Sequence, residues 1–154
     1  MKTAIVYYST HHGNTKKLLD AIAAAHAVTL IDVTKEPEAD VSGFDRVGLA
    51  SGIYYSAFAK PLLTWAAARL PKGKDVFFLS TQGNPKGVFL KAVRAVAKEK
   101  GCRELGHYGC LGFDTFGPFK LIGGLAKGHP TEEELAGAVR FYENLSRAKK
   151  VGAE

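Results

Sequence analysis

Seven adjacent residues, Ser9-Thr10-His11-His12-Gly13-Asn14-Thr15, gather hydroxyl, amide and imidazole groups around one glycine. The apolar run Ile5-Val6-Tyr7-Tyr8 precedes them and the amphipathic segment Lys16–Ala25 follows, so the expected order is strand, turn and helix start. The first N–H groups of a helix have no partners within it and collect at its positive end. Together with the side chains of Ser9, Thr10, Asn14 and Thr15 they suit a phosphate, and Gly13 lets the backbone come close to it. Ser, Thr and Asn also cap helices for purely local reasons, so an ordinary capped helix start uses the same residues. Neither familiar glycine motif applies: no Lys-Ser or Lys-Thr pair closes a nucleoside triphosphate loop, and no G-x-G-x-x-G opens a dinucleotide site.

The elements that hold this turn follow from hydrophobic periodicity. Residues 2–8 read as a buried strand, and Lys16–Ala25 as a helix with Leu18, Leu19, Ile22 and Ala25 on one face. Val28–Val33 is the next short strand, which makes a right-handed βαβ unit whose parallel sheet is covered on both faces. A third strand is expected over Phe44–Ser51, then a helix over about Lys60–Leu70 with Trp65 on its core side. The fourth strand, Asp75–Leu79, contains four consecutive apolar residues, as a central strand should. Lys86–Lys100 is an amphipathic helix with Lys91, Arg94 and Lys98 toward solvent. Leu105–Phe113 is the fifth strand, where Gly106, Gly109 and Gly112 permit close backbone approach or a bulge. Thr131 and Glu134 form a capping box for the last helix, which runs through Phe141, Tyr142 and Leu145.

Two more strand ends carry residues suited to a ligand. Gly52-Ile53-Tyr54-Tyr55-Ser56-Ala57-Phe58 reads as a loop after the third strand, and Ser80-Thr81-Gln82-Gly83-Asn84-Pro85 as one after the fourth. The stretch Asp114–Pro130 exceeds the usual connection in a compact domain, which favours a lid, a binding surface or a short extra helix over a packing excursion without chemistry. Five strands alternating with helices give a three-layer, doubly wound α/β fold, expected as a single domain over residues 1–154.

The phosphate turn resembles the [ST]-x-T-G-x-T pattern of the flavodoxin family, read here as Thr10-His11-His12-Gly13-Asn14-Thr15 with His12 the single departure. Gly52-Ile53-Tyr54-Tyr55, Ser80-Thr81-Gln82-Gly83 and Gly112-Phe113-Asp114-Thr115-Phe116-Gly117-Pro118 extend the resemblance along nearly the full length. It implies a flavodoxin-like fold with a five-stranded parallel sheet in the order 2-1-3-4-5, where the loops after strands one, three and four meet over one crevice. It implies FMN as the cofactor, with its phosphate on Ser9–Thr15 and His12 either donating from a ring nitrogen or pointing to solvent. Gly52, Ile53, Tyr54 and Tyr55 would flank the isoalloxazine ring, with Tyr54 or Tyr55 stacked on it. The backbone of Thr81, Gln82 and Gly83 would bond the pyrimidine edge and tune N1, O2 and N5. The implied activity is electron transfer between redox partners. Two enzymes on the same fold compete with it: a reductase taking hydride from NAD(P)H, and a quinone- or porphyrinogen-directed oxidoreductase whose long loop, with Phe116, Phe119 and Leu121, covers a substrate. A flavin-free scaffold is a further alternative. A phosphoacceptor receiver domain shares the strand order but needs clustered carboxylates at strand ends, and the first strand, which ends in Ser9-Thr10 with Asp32 isolated, argues against it.

The formal charge of +6 comes from basic residues scattered along the chain (Lys35, Arg46, Lys60, Arg69, Lys91, Arg94 and Lys98 among them), mixed with acidic ones, and reads as a solvated surface. No nucleic-acid motif accompanies it. Many flavodoxins are strongly acidic, so a basic member is expected to favour acidic redox partners or a small-molecule acceptor. Lys60 and Lys86, following the two ring-side loops, would ease the second reduction step. Cys102 and Cys110 are too few and too far apart for a redox pair or a metal site. No signal-peptide pattern and no bilayer-length apolar run is present, and the cytoplasm is the expected compartment. His11, His12, His26, His107 and His129 have no catalytic partners in sequence, and no catalytic residue is assigned.

Overall fold

A computed structural model describes residues 1–9, 13–83, 89–112 and 128–152. In chain order the elements are β1 (Thr3–Tyr8), α1 (Asn14–Ala25), β2 (Thr29–Asp32), β3 (Arg46–Tyr54), β4 (Ala57–Phe58), α2 (Lys60–Arg69), β5 (Asp75–Gln82), α3 (Lys91–Glu99), β6 (Arg103–Leu111) and α4 (Glu132–Gly152). Five strands pair in parallel in the order β2-β1-β3-β5-β6, and β4 pairs antiparallel with β3 off this path. Without the two-residue β4, this is the expected flavodoxin-like order 2-1-3-4-5.

The period-two geometry of a strand sorts the apolar runs between two cores. Ala4 and Val6 of β1, Val47 and Leu49 of β3, and Val76 and Phe78 of β5 face Leu62, Trp65 and Ala66 of α2 and Val93 and Ala97 of α3. Ile5, Tyr7, Ala50, Phe77 and Leu79 face Leu18, Leu19 and Ile22 of α1 and Ala138, Tyr142 and Leu145 of α4. Burial on both faces explains why these strands are continuous in hydrophobicity rather than alternating. Trp65 sits on the core side as expected, and its Nε1 donates to the Ala39 carbonyl at 3.2 Å.

Several expectations need correction. Ala25 is exposed, because the buried stripe of α1 ends at Ile22. Arg46 is no surface charge: it is 2% exposed, its Nε donates to Thr3 Oγ1 at 2.9 Å, and its guanidinium lies 4.8 Å from the Tyr142 ring centre. The aromatic face stabilises the cation where water cannot. The third strand does not stop at Ser51 but continues to Tyr54 and turns back, so Gly52–Phe58 is a hairpin rather than an open loop. Arg94, by contrast, is exposed as expected, and there it makes a forked ion pair with Glu104, at 2.8 and 2.9 Å. That helix begins at Lys91 with Leu90 at its N-cap, five residues later than expected; the Asn84-Pro85 turn lies outside the described residues, as does most of the Asp114–Pro130 stretch.

The glycines of the fifth parallel strand mark close approaches, as expected. A Cβ at Gly112 would lie 2.8 Å from Asn14 Nδ2, one at Gly109 3.0 Å from Ser80 Oγ, and one at Gly106 3.3 Å from the Phe141 ring. A bulge does occur there, since Val76 pairs with Glu104 and Phe77 with Gly106. The capping box of α4 is formed: the Thr131 N–H donates to Glu134 Oε1 at 2.8 Å and the Glu134 N–H to Thr131 Oγ1 at 3.2 Å. Among the described residues no helix is long and apolar enough to cross a membrane.

Candidate functional site

The sheet register brings three carboxyl ends together. Tyr8 of β1 lies beside Ser51 of β3, Ser51 beside Ser80 of β5, and Gly52 beside Thr81. This is the edge at which open α/β sheets bind ligands.

The turn after β1 opens with Ser9, whose Oγ accepts from the Lys16 N–H at 3.2 Å, so one of the unpartnered donors at the start of α1 is already bound. Gly13 stands at the N-cap in the left-handed region, with φ 65°, and a Cβ built there meets nothing within 4 Å. The first turn of α1 contains no acidic residue, so no side-chain carboxylate on that turn neutralises the positive helix end. Asn14 is buried beneath Gly112. Thr15, 1% exposed, makes a contact that the sequence does not announce: its Oγ1 is 2.9 Å from Thr81 Oγ1. Thr10, His11 and His12 lie outside the described residues.

The second element is the β3–β4 hairpin. Tyr54 pairs with Ala57, leaving Tyr55 and Ser56 as a two-residue turn with φ of 49° and 64°. Positive φ at both positions is the type I′ pattern that matches strand twist. Ser51 fastens its base, donating to the Gly52 carbonyl at 2.5 Å and accepting from the Ala59 N–H at 2.9 Å. The Tyr54 ring folds back over Gly52, where an added Cβ would be 3.0 Å from its hydroxyl, and meets Tyr8 edge-on with centroids 5.7 Å apart. Tyr55 is 88% exposed at the tip. Ile53 pairs with Phe58.

At the third end, Thr81 and Gln82 are the last residues of β5 and Gly83 follows. The Gln82 carbonyl accepts from the Gly112 N–H at 3.0 Å. Gly112 thereby joins the β5 end to the first turn through one backbone bond and one close contact. Beyond it, Glu134 does more than cap a helix. Its Oε2 also accepts from the Leu111 N–H at 3.1 Å, and its Oε1 contacts His129 Nδ1. Partial burial raises the Glu134 carboxyl, but the Thr131 N–H, His129 and the Leu111 N–H outweigh it and hold the group below the ordinary carboxylate range.

Of the site residues expected from sequence, the structure therefore groups Ser9, Gly13, Asn14, Thr15, Gly52, Tyr54, Thr81 and Gln82 at one edge. Sequence reasoning missed Tyr8, Ser51 and the second bond of Glu134. Position alone could have signalled the first two, each being the last buried or half-buried residue before a predicted loop. The remaining chemistry is sparse. Cys110 is held protonated, its thiol pushed up to about 12 by burial and by Glu134. His26 bonds Glu143 at 2.8 Å and His107 bonds Arg94 at 3.2 Å, both on the surface. Among the described residues no group of three or more His, Cys, Asp or Glu is placed to hold a metal.

The flavodoxin domain matches this sequence over residues 5–99. An uncharacterized protein of Methanocaldococcus jannaschii is 35% identical over 147 residues, covering 94% of this chain and 98% of that protein. A flavodoxin from the domain Archaea superposes with a TM-score of 0.67 at 18% identity, over 97% of this chain and 99% of the other. The two-electron reduced flavodoxin of Megasphaera elsdenii gives 0.57 at 19%, over 88% and 97%. General stress protein 14 of Treponema denticola, in complex with FMN, gives 0.65 at 14%, over 94% and 99%. At these identities the superpositions show a shared fold. The sequence match spans more than half of the chain, through the turn, the hairpin and the end of β5, and the chain belongs to the flavodoxin family.

Proposed function

We propose that this protein binds FMN at the carboxyl edge of its sheet and carries electrons between redox partners. The observation that supports this most is the meeting of three differently built elements at one edge, a glycine-capped helix start, an aromatic hairpin tip and the end of a buried strand. A dianionic phosphate suits the first, because the donors are hydroxyl, amide and backbone N–H groups and no first-turn carboxylate opposes it. Ser9, Thr10, His11, His12, Gly13, Asn14 and Thr15 are the residues proposed to hold it. Tyr55 is the stacking residue in this reading, because its large ring is 88% exposed at the turn beside the three strand ends. Gly52 and Ile53 flank the ring, and Thr81, Gln82 and Gly83 meet its pyrimidine edge through their backbone. Bound FMN supplies one- and two-electron redox chemistry; the chain supplies its orientation and its electrostatic surroundings. The FMN carried by the Treponema denticola relative is consistent with the assignment.

The test is the visible absorption spectrum of the purified protein after FMN is added and the excess washed away. Flavin bands at a stoichiometry near one, lost in the Thr10→Ala, Thr15→Ala double variant, are expected. A wild type that retains no FMN removes the reading. Steady NAD(P)H consumption by the loaded protein with a quinone acceptor would replace the carrier with a self-sufficient reductase.

A further inference from the structure

Thr15 Oγ1 and Thr81 Oγ1 lie 2.9 Å apart in a buried contact between α1 and β5. A hydroxyl has one proton to donate and lone pairs to accept, so in the isolated pair either oxygen can be the donor. A phosphate dianion at the start of α1 removes that freedom. It only accepts, so a Thr15 hydroxyl that bonds the anion gives its proton there, and the proton between the two oxygens then comes from Thr81. If packing alone were at stake, valine would fill both positions without burying a hydroxyl that needs a partner.

We infer that Thr81 is a positioning residue for the phosphate: its side chain donates to Thr15 Oγ1 and thereby aims the Thr15 proton at the anion. The inference rests on the FMN reading above and adds a determinant of selectivity to it. The backbone of Thr81 faces the ring, but its hydroxyl serves the phosphate, so the preference for a phosphorylated over a dephosphorylated flavin is built partly into the ring-side strand.

Affinities for FMN and riboflavin, measured by quenching of flavin fluorescence, separate this role from a structural one. Thr81→Val is expected to weaken FMN roughly tenfold, as a hydrogen bond to a charged group is misdirected, with a much smaller change for riboflavin. Thr81→Ser restores the FMN preference. Thr15→Val lowers the same preference, and adding Thr81→Val to it has little further effect, because the two hydroxyls act as one unit. Should Thr81→Val not fold, Thr81→Ala removes the hydroxyl without adding a methyl. Equal losses for both flavins, an unchanged ratio, or failure of serine to rescue would overturn the positioning role. A wild type that binds neither flavin would instead remove the FMN reading on which it stands.

Discussion

At the β3–β4 turn two ordinary L-residues, Tyr55 and Ser56, hold φ of 49° and 64°. Each costs about 1–2 kcal/mol relative to a residue with no Cβ, and glycine or asparagine usually fills such turns. The two positions are expected to answer glycine differently. Ser56→Gly relieves the strain and should raise stability by about 0.5–1 kcal/mol after the greater freedom of glycine in the unfolded chain is counted. FMN binding should be unchanged. Tyr55→Gly relieves the same strain but removes the ring that is 88% exposed at the tip, so stability should hold or rise while FMN affinity falls several-fold. Urea unfolding of the two variants, with a flavin titration on each, checks both halves. A loss of stability in Ser56→Gly would show that the serine side chain makes a contact worth more than the strain, and equal flavin affinity in Tyr55→Gly would return the stacking role to Tyr54. Tolerating a strained aromatic where asparagine-glycine would be easier fits a ligand-facing position.

Glu134 shows how one side chain joins elements. It caps α4 through Thr131 and ends β6 through Leu111, so the two borders of the 113–127 segment share a carboxylate. Its pKa is held below the unfolded value, so its contribution to stability is complete above roughly pH 4.3, the ordinary value for glutamate, and is lost as pH falls through the folded value. Glu134→Gln should therefore cost about 1–2 kcal/mol at pH 7, and the gap from wild type should narrow as pH falls below the ordinary glutamate value; urea unfolding at pH 7, 5 and 3 measures it. A gap that persists unchanged at pH 3 would mean that the amide fails for steric reasons. The capping half of this device was legible in sequence because it spans three residues. The Leu111 bond spans 23 and the Thr15–Thr81 contact 66, and no local pattern specifies partners so distant. The alternation of strands and helices was legible because buried parallel strands and amphipathic helices differ in period, whereas the strand order followed from the resemblance to the flavodoxin family. The hairpin was not legible, because Tyr55-Ser56 lacks the usual turn residues, and neither was the burial of Arg46, since composition cannot tell a guanidinium stacked on Tyr142 from one in water.

For the whole molecule the decisive quantity is the charge of +6. Several of its cations are locally matched: Lys16 with Asp20, Arg94 with Glu104, and Arg103 with Asp75. Exposed pairs of this kind add little to stability and leave the net charge, and hence the long-range field, unchanged. The surplus acts on encounter. Lowering ionic strength from about 0.1 M to about 0.01 M lengthens the screening distance from about 10 to about 30 Å. Over that range reduced, FMN-loaded protein should react several-fold faster with an acidic electron acceptor and more slowly with a basic one. Lys60, exposed at the first position of α2 directly after the hairpin, is the described lysine best placed to contribute. Lys60→Glu should reduce the salt dependence with the acidic acceptor and leave FMN affinity within about twofold, because charge at the rim changes association rate more than short-range contact. Stopped-flow oxidation at three ionic strengths gives the slope directly. Reversed slopes, faster with the basic acceptor and slower with the acidic one at low ionic strength, would show that a negative local charge around the flavin, rather than the net charge, selects the partner.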